Sequence, residues 1–242
     1  MATEPVDPKD PASAVPEKSD AWTDLGLTLP IFLLYHLGVV FLPVRNAADP
    51  VTRELTALAD HSLLGYAGLT VAVGVAFVVV LAATGQKKAL ERKRFVLIAL
   101  EGTLYAILMR FAASYVVGSL TLAPSVQTRS VFSGVIMSMG AGFYEEIAFR
   151  VGLFGLGALV LKAVFGPGLR RIVLTVLWAG VAAVSFSAWH YVGSLGDAFD
   201  LQSFIFRAVC GLVLTAIFVF RGFAPAVWTH ALYDVWAMVL HG

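Results

Sequence analysis

Cysteine is almost missing from this chain. The one present, Cys210, lies in an apolar stretch. That excludes a disulfide framework and argues against metal–thiolate clusters; a lone cysteine in such a place reads as a small buried hydrophobe. Charge is scarce as well. Asp, Glu, Lys and Arg make up 14% of the 242 residues, where a soluble domain carries about 25%. The formal net charge is +1 and the 17 basic residues are scattered, so there is no phosphate-tracking groove and nucleic acid is excluded as a partner. We find no internal repeat, no soluble second domain and no compact H-E-x-x-H zinc signature. The first twenty residues hold four prolines and no apolar run. They read as a short disordered tail, not a signal peptide.

What the chain does have is apolar residues, 59% of the total, with a mean hydropathy of +0.83. They fall in blocks at 25–43, 63–84, 95–120, 131–160, 172–193, 202–220 and 224–240. A helix needs about 20 apolar residues to cross the hydrocarbon and satisfies its own backbone there. The expected fold is therefore all-α, a polytopic membrane helix bundle of seven spans. It has eight if the long fourth block is a helix plus a re-entrant piece. The domain reading is a tail at 1–20, N-terminal transmembrane helices at 21–129 and a catalytic helix bundle at 130–242.

Lys and Arg set the orientation. The segment "QKKALERKR" carries Lys87, Lys88, Arg92, Lys93 and Arg94 and marks a cytoplasmic loop. Alternating from it puts the N-terminus, Lys162, Arg170, Arg171 and Arg221 inside, and Arg45, Arg53 and Arg129 outside. Counting the tail, that is 11 basic residues against 3. The expected location is a prokaryotic plasma membrane, multi-pass, with the N-terminus cytoplasmic. Trp22, Trp178, Trp228 and Trp236 lie near predicted helix ends and read as interface anchors.

Against this background "GFYEEIAFRVG", residues 142–152, stands out. A charge at the bilayer centre costs about 2.5–3.5 kcal/mol on insertion scales, so three in one helix must pair and face inward. Glu146 and Arg150 are four apart and share a face. Glu145 is rotated by about 100° from Glu146 and can point elsewhere. Glu146 then neutralises Arg150, while Glu145 keeps a desolvated carboxylate suited to acting as a general base towards water. A purely structural ion-pair network accounts for Glu146 and Arg150 but leaves Glu145 without a partner.

Two further pairs sit at helical spacing: Phe186 and His190 in "SFSAWHY", and His230 and Asp234 in "AVWTHALYDVW". A neutral imidazole can orient water, donate to an oxyanion or bind metal. Asp234 can accept from a His230 ring nitrogen and fix its tautomer. Glu101, Arg110 and Arg207 also fall in apolar blocks and read as structural. His36 and His61, near helix ends, carry no signal, and His241 reads as solvated.

In order and spacing, Glu145-Glu146-x-x-x-Arg150, Phe186-x-x-x-His190 and His230-x-x-x-Asp234 resemble the CPBP family. These are the type II CAAX prenyl endopeptidases and the bacteriocin-processing or Abi-type membrane proteases. The match spans roughly residues 130–240. The resemblance implies an intramembrane endopeptidase with a central catalytic cavity. Glu145 is the water-activating base, His190 positions the water, His230 and Asp234 form the oxyanion side, and Glu146 and Arg150 support them. Where studied members carry asparagine, this chain has Asp234, and an ionised carboxylate cannot donate to an oxyanion. Asp234 is then protonated, or orients His230, or helps bind a cation. The last option gives the alternative of a metalloprotease, with Glu145, His190, His230 and Asp234 as ligands to a divalent ion such as Zn.

The expected function is hydrolysis of a peptide bond in a membrane-embedded or lipid-tethered substrate, with lipid as the surroundings and no cofactor in the glutamic mechanism. Prenylated CAAX-like tails, leader or bacteriocin precursors and C-terminal sorting signals all qualify as substrates. The sequence sets no oligomeric state. The rival readings are a non-catalytic scaffold or immunity protein on the same helices, and a transporter or proton relay. Straight helices would leave His190 near the outer end of its span and His230 near the inner end of its own. One of these helices must therefore be tilted, broken or re-entrant, with Gly152, Gly155, Gly157, Gly211, Gly222 and Pro225 as the marks of it.

Overall fold

The computed structural model describes residues 20–85, 90–118, 130–193 and 196–240. The N-terminal tail, Lys87, Lys88, Arg129 and His241 lie outside the described residues. The described part contains eight helices and no strand: α1 (Ala21–Val39), α2 (Val51–Leu58), α3 (Leu63–Ala83), α4 (Arg92–Val117), α5 (Val131–Val164), α6 (Leu169–Trp189), α7 (Leu201–Phe220) and α8 (Phe223–Val235), which continues into a π-helical turn, Trp236–Leu240. The caps follow the sequence. Asp20, Ser62, Ser130 and Asp200 each accept a backbone N–H in the first turn of α1, α3, α5 and α7, satisfying donors that have no intrahelical partner.

Six of these helices, α1 and α3 to α7, are long and apolar enough to cross a membrane. Their outer faces carry exposed valines, leucines and phenylalanines, such as Val75 and Val79 on α3 and Val176 and Leu177 on α6. Contiguous apolar surface of this extent faces lipid. The long fourth block is one continuous helix, Val131–Val164, so no re-entrant piece is needed there. The seventh block does form α8, but α8 falls short of a free-standing span. It packs on α1, α4, α5 and α7, with Ala224, Ala226, Val227 and Ala231 fully buried. Surrounded by protein, it needs no lipid-facing apolar side and can carry Thr229, His230 and Asp234. The short α2, in the α1–α3 connection, was not expected; it buries Thr52 and Leu55.

Helix depth resolves the expected mismatch between the two histidines. On Gly102, the eleventh residue of α4, a Cβ would lie 3.0 Å from the Cβ of Trp228, the sixth residue of α8. The missing side chain lets the two helices touch. It also places the start of α8 about five residues, or ~7.5 Å, further into the bundle than the start of α4. The α7–α8 turn is thus recessed, and His230 is carried outward with it. Two tryptophans expected as interface anchors instead bond between helices: Trp228 Nε1 donates to Leu27 O at 2.9 Å and Trp178 Nε1 to Leu153 O at 3.0 Å.

The helices before and after residue 130 share one core. Ile31, Tyr35 and Val39 of α1 pack on Ile136, Met139 and Tyr144 of α5, with Val227 and Ala231 of α8 closing the cluster.

Candidate active site

The Glu-Glu pair lies where α5 widens. Residues Ala141–Glu145 and Ile147–Gly155 are π-helical, a local unwinding common at functional sites. Gly142 makes close packing possible on the inner side: a Cβ there would fall 2.6 Å from the Cβ of Ala231 and 2.8 Å from its backbone nitrogen. α5 and α8 meet backbone to backbone at this point, and His230 comes within reach of Glu146.

The two glutamates separate as their angular offset requires. Glu146, fully buried, puts Oε1 3.1 Å from Arg150 Nη1 and 2.7 Å from His230 Nδ1. The i, i+4 pairing is present, and the same oxygen also holds a histidine 84 residues away. A carboxylate only accepts, so His230 Nδ1 carries a proton and donates. Its Nε2 stands 3.5 Å from Asp234 Oδ2. The tautomer of His230 is therefore fixed chiefly by Glu146, a correction to the expectation that Asp234 would fix it. The Arg150 guanidinium lies 4.3 Å over the Phe186 ring, and its Nη2 donates to Gly211 O at 3.4 Å. A cation desolvated against a ring face gains up to about 2 kcal/mol from it.

Glu145 points away from this cluster, towards His190 and Asn46. Oε2 has no hydrogen-bond partner among the described residues and lies 3.9 Å from His190 Nε2. His190 caps the end of α6, where its Nδ1 donates to Phe186 O at 2.9 Å. With the proton spent on a carbonyl, the Nε2 of a neutral His190 offers a lone pair. Two acceptors thus face each other at a separation that one water molecule, with two O–H donors, can bridge. Phe186 is the hinge of the group. Its ring centroid is 5.0 Å from that of His190 and 5.6 Å from that of His230, both edge-on.

Glu145, Phe186, His190, His230 and Asp234 all line a single cavity of about 270 Å³. The structure brings these polar groups, far apart in sequence, to one cavity wall. Among the described residues, no group of three or more His, Cys, Asp or Glu is arranged to hold a metal ion. Glu146, outside the alternative ligand set, already occupies His230 Nδ1.

Sequence reading missed Asn46. Its Nδ2 donates to Glu145 Oε1 at 2.8 Å, while its own Oδ1 accepts from Ala48 N at 2.8 Å, which fixes the amide's orientation. Asn46 is held in turn by a buried network. Tyr35 Oη accepts from Asn46 N at 3.1 Å and donates to Asp49 Oδ2 at 2.8 Å. Thr52 Oγ1 also donates to Asp49 Oδ2, and Asp49 Oδ1 accepts from Val51 N and Thr52 N. Burial pushes the Asp49 carboxyl up, but these hydrogen bonds outweigh it and hold the group below the usual carboxylate range. His36, which carried no signal in the sequence, is fully buried beside this network, with Nδ1 2.8 Å from Tyr66 Oη and Nε2 2.5 Å from Tyr144 Oη. No spacing rule reaches these residues, because they approach Glu145 from α1, α2 and the connection between them, about a hundred positions upstream.

Of the residues read as structural, Arg207 pairs with Asp197 at 2.5 Å and stacks 5.1 Å from the Tyr191 ring centroid at the cavity rim. Arg110 lies 4.8 Å over Trp236. Glu101 pairs with Arg221 at 2.6 Å at the far end of the bundle.

The fold and the site together define a polytopic helical membrane protein with an acid–histidine cavity built among its helices. Residues 127–236 match the family described as Type II CAAX prenyl endopeptidase Rce1-like. That stretch, somewhat under half of the chain, runs through α5 to the π-turn after α8 and is similar to that family. No curated protein and no solved structure matches the chain.

Proposed function

We propose that the protein is an intramembrane endopeptidase of glutamic type. It cleaves a peptide bond in a membrane-embedded or lipid-tethered substrate. The observation that carries this reading is the pair of facing acceptors, Glu145 Oε2 and His190 Nε2, 3.9 Å apart in the cavity wall. A water held between them donates one proton to each, and its oxygen lone pairs are left directed into the cavity. As that oxygen attacks the scissile carbonyl carbon, Glu145 takes a proton. The C–N bond then breaks and Glu145 returns the proton to the leaving amine, in the manner of a general base that becomes a general acid.

The tetrahedral oxyanion needs a hydrogen-bond donor. A His230 protonated only on Nδ1 cannot supply one from Nε2. In this reading the ring is doubly protonated, donating to Glu146 from Nδ1 and sharing Nε2–H between Asp234 and the oxyanion. Asp234 then orients and balances His230 and is not itself the donor. The buried Arg150 pairs with Glu146 and holds its carboxylate in position against His230.

The deciding experiment is Glu145→Gln with a membrane-tethered reporter peptide. Cleavage is lost while the purified protein keeps its thermal transition. A non-catalytic scaffold would keep its phenotype with this substitution. The metal-dependent alternative is separated by chelation: cleavage by the glutamic enzyme persists after dialysis against a strong chelator, and a metalloenzyme loses it.

A further inference from the structure

The cavity has a definite end of the bundle, and the two ends differ in charge. Its mouth is built by the α1–α2 connection, through Arg45, Asn46 and Ala47, and by the α6–α7 connection, through Val192, Gly196 and Asp197. Both connections lie at the end where α1, α4 and α6 finish and α3, α5 and α7 begin. Contacts at the opposite end confirm the alternation. Arg221, after α7, pairs with Glu101 of α4, and Asp24, at the start of α1, accepts from Phe223 N at 2.6 Å.

Basic residues collect at the end away from the mouth. The α3–α4 connection and the first turn of α4 carry Lys87, Lys88, Arg92, Lys93 and Arg94 in sequence; Lys162, Arg170 and Arg171 flank the α5–α6 turn, and Arg221 follows α7. The mouth end has Arg45, Arg53 and Arg129 in its connections. Short loops rich in Lys and Arg stay cytoplasmic. All the connections are short enough for that rule to apply, and the bias does not depend on the N-terminal tail.

We infer that the catalytic cavity opens on the non-cytoplasmic face of the membrane. Water and substrate then enter from that side, and the substrates are polypeptides presented there: exported precursors, leaders or sorting signals whose scissile bond lies at the outer end of the bilayer. A lipid-modified tail on the cytoplasmic face would meet the basic end, about the thickness of the hydrocarbon, ~30 Å, from the mouth. The inference of substrate rests on the protease reading above.

The test starts from Cys210→Ala, which removes the one native thiol. Three single cysteines follow: Arg53→Cys and Val192→Cys, exposed at the mouth end, and Gly166→Cys, exposed at the opposite end. A membrane-impermeant maleimide applied to intact cells labels the first two at least ~10-fold faster than the third, and permeabilisation removes the difference. The reverse pattern, or equal labelling in intact cells, overturns the proposal. A second arm uses sealed membrane vesicles and a lipid-tethered reporter peptide added from outside, so that it enters only the outer leaflet. Right-side-out vesicles cleave it and inside-out vesicles do so only after detergent; cleavage by intact inside-out vesicles overturns the assigned face. Absence of cleavage even in detergent would refute the protease reading, and the labelling would still decide the face.

Discussion

Asn46 donates a 2.8 Å hydrogen bond to Glu145 Oε1, joining the α1–α2 connection to the centre of α5. One oxygen of the proposed base is thereby held, and the other is left facing His190. The N-terminal helices are in this way part of the site, although the family match begins only at residue 127.

Asn46→Ala removes that tether. A hydrogen bond to a charged group contributes about 1.5–3 kcal/mol, and 1.4 kcal/mol is tenfold in rate. We expect kcat to fall by roughly 10- to 100-fold with KM little changed, because the amide touches the base and not the substrate. Steady-state cleavage of a reporter by wild type and variant measures the split; an unchanged kcat would show that Asn46 does not position Glu145.

Glu146→Gln and Arg150→Met each break a fully buried ion pair. Losing one partner strands the other, at a cost of about 3–5 kcal/mol. Both variants are expected to unfold earlier in a detergent-based thermal melt. Glu145→Gln, which leaves that pair intact, should melt within a few degrees of wild type.

Gly142→Val tests the backbone contact between α5 and α8. A Cβ at this position already falls 2.6 Å from that of Ala231, so a branched side chain must push the helices apart. Overpacking of this kind costs about 1–3 kcal/mol or more. Separation also draws His230 from Glu146. We expect a loss of cleavage together with a lowered melting temperature. The same change at Gly68, which has nothing within 4 Å, should be silent in both assays.

Asp49 gives a pH dependence of stability. Its carboxyl is held below the usual carboxylate range in the folded protein, so the folded state favours the ionised form. The stabilisation is fully present above the unfolded value of about 3.9 and is lost as pH falls through the lower folded value. Asp49→Asn should therefore be less stable than wild type at pH 7. The gap should begin to narrow below about pH 4 and shrink further as pH falls, as melting curves over pH 7 to 3 would record.

The sequence by itself determined that this is a helical membrane protein, because runs of apolar residues this long leave few other folds available. It also determined the Glu146–Arg150 pair and the divergence of Glu145, since both follow from the angular spacing of one helix. Only the tertiary structure decided which residues complete the site. Asn46 and the Tyr35–Asp49–Thr52 network reach Glu145 from α1, α2 and the connection between them. Glu146 takes the role on His230 that spacing had given to Asp234, because Gly142 lets two backbones touch. His190 and His230 meet because the turn before α8 is recessed. Local periodicity fixes directions around a single helix axis; depth, tilt and close approach between axes come from packing among helices, which no one segment encodes.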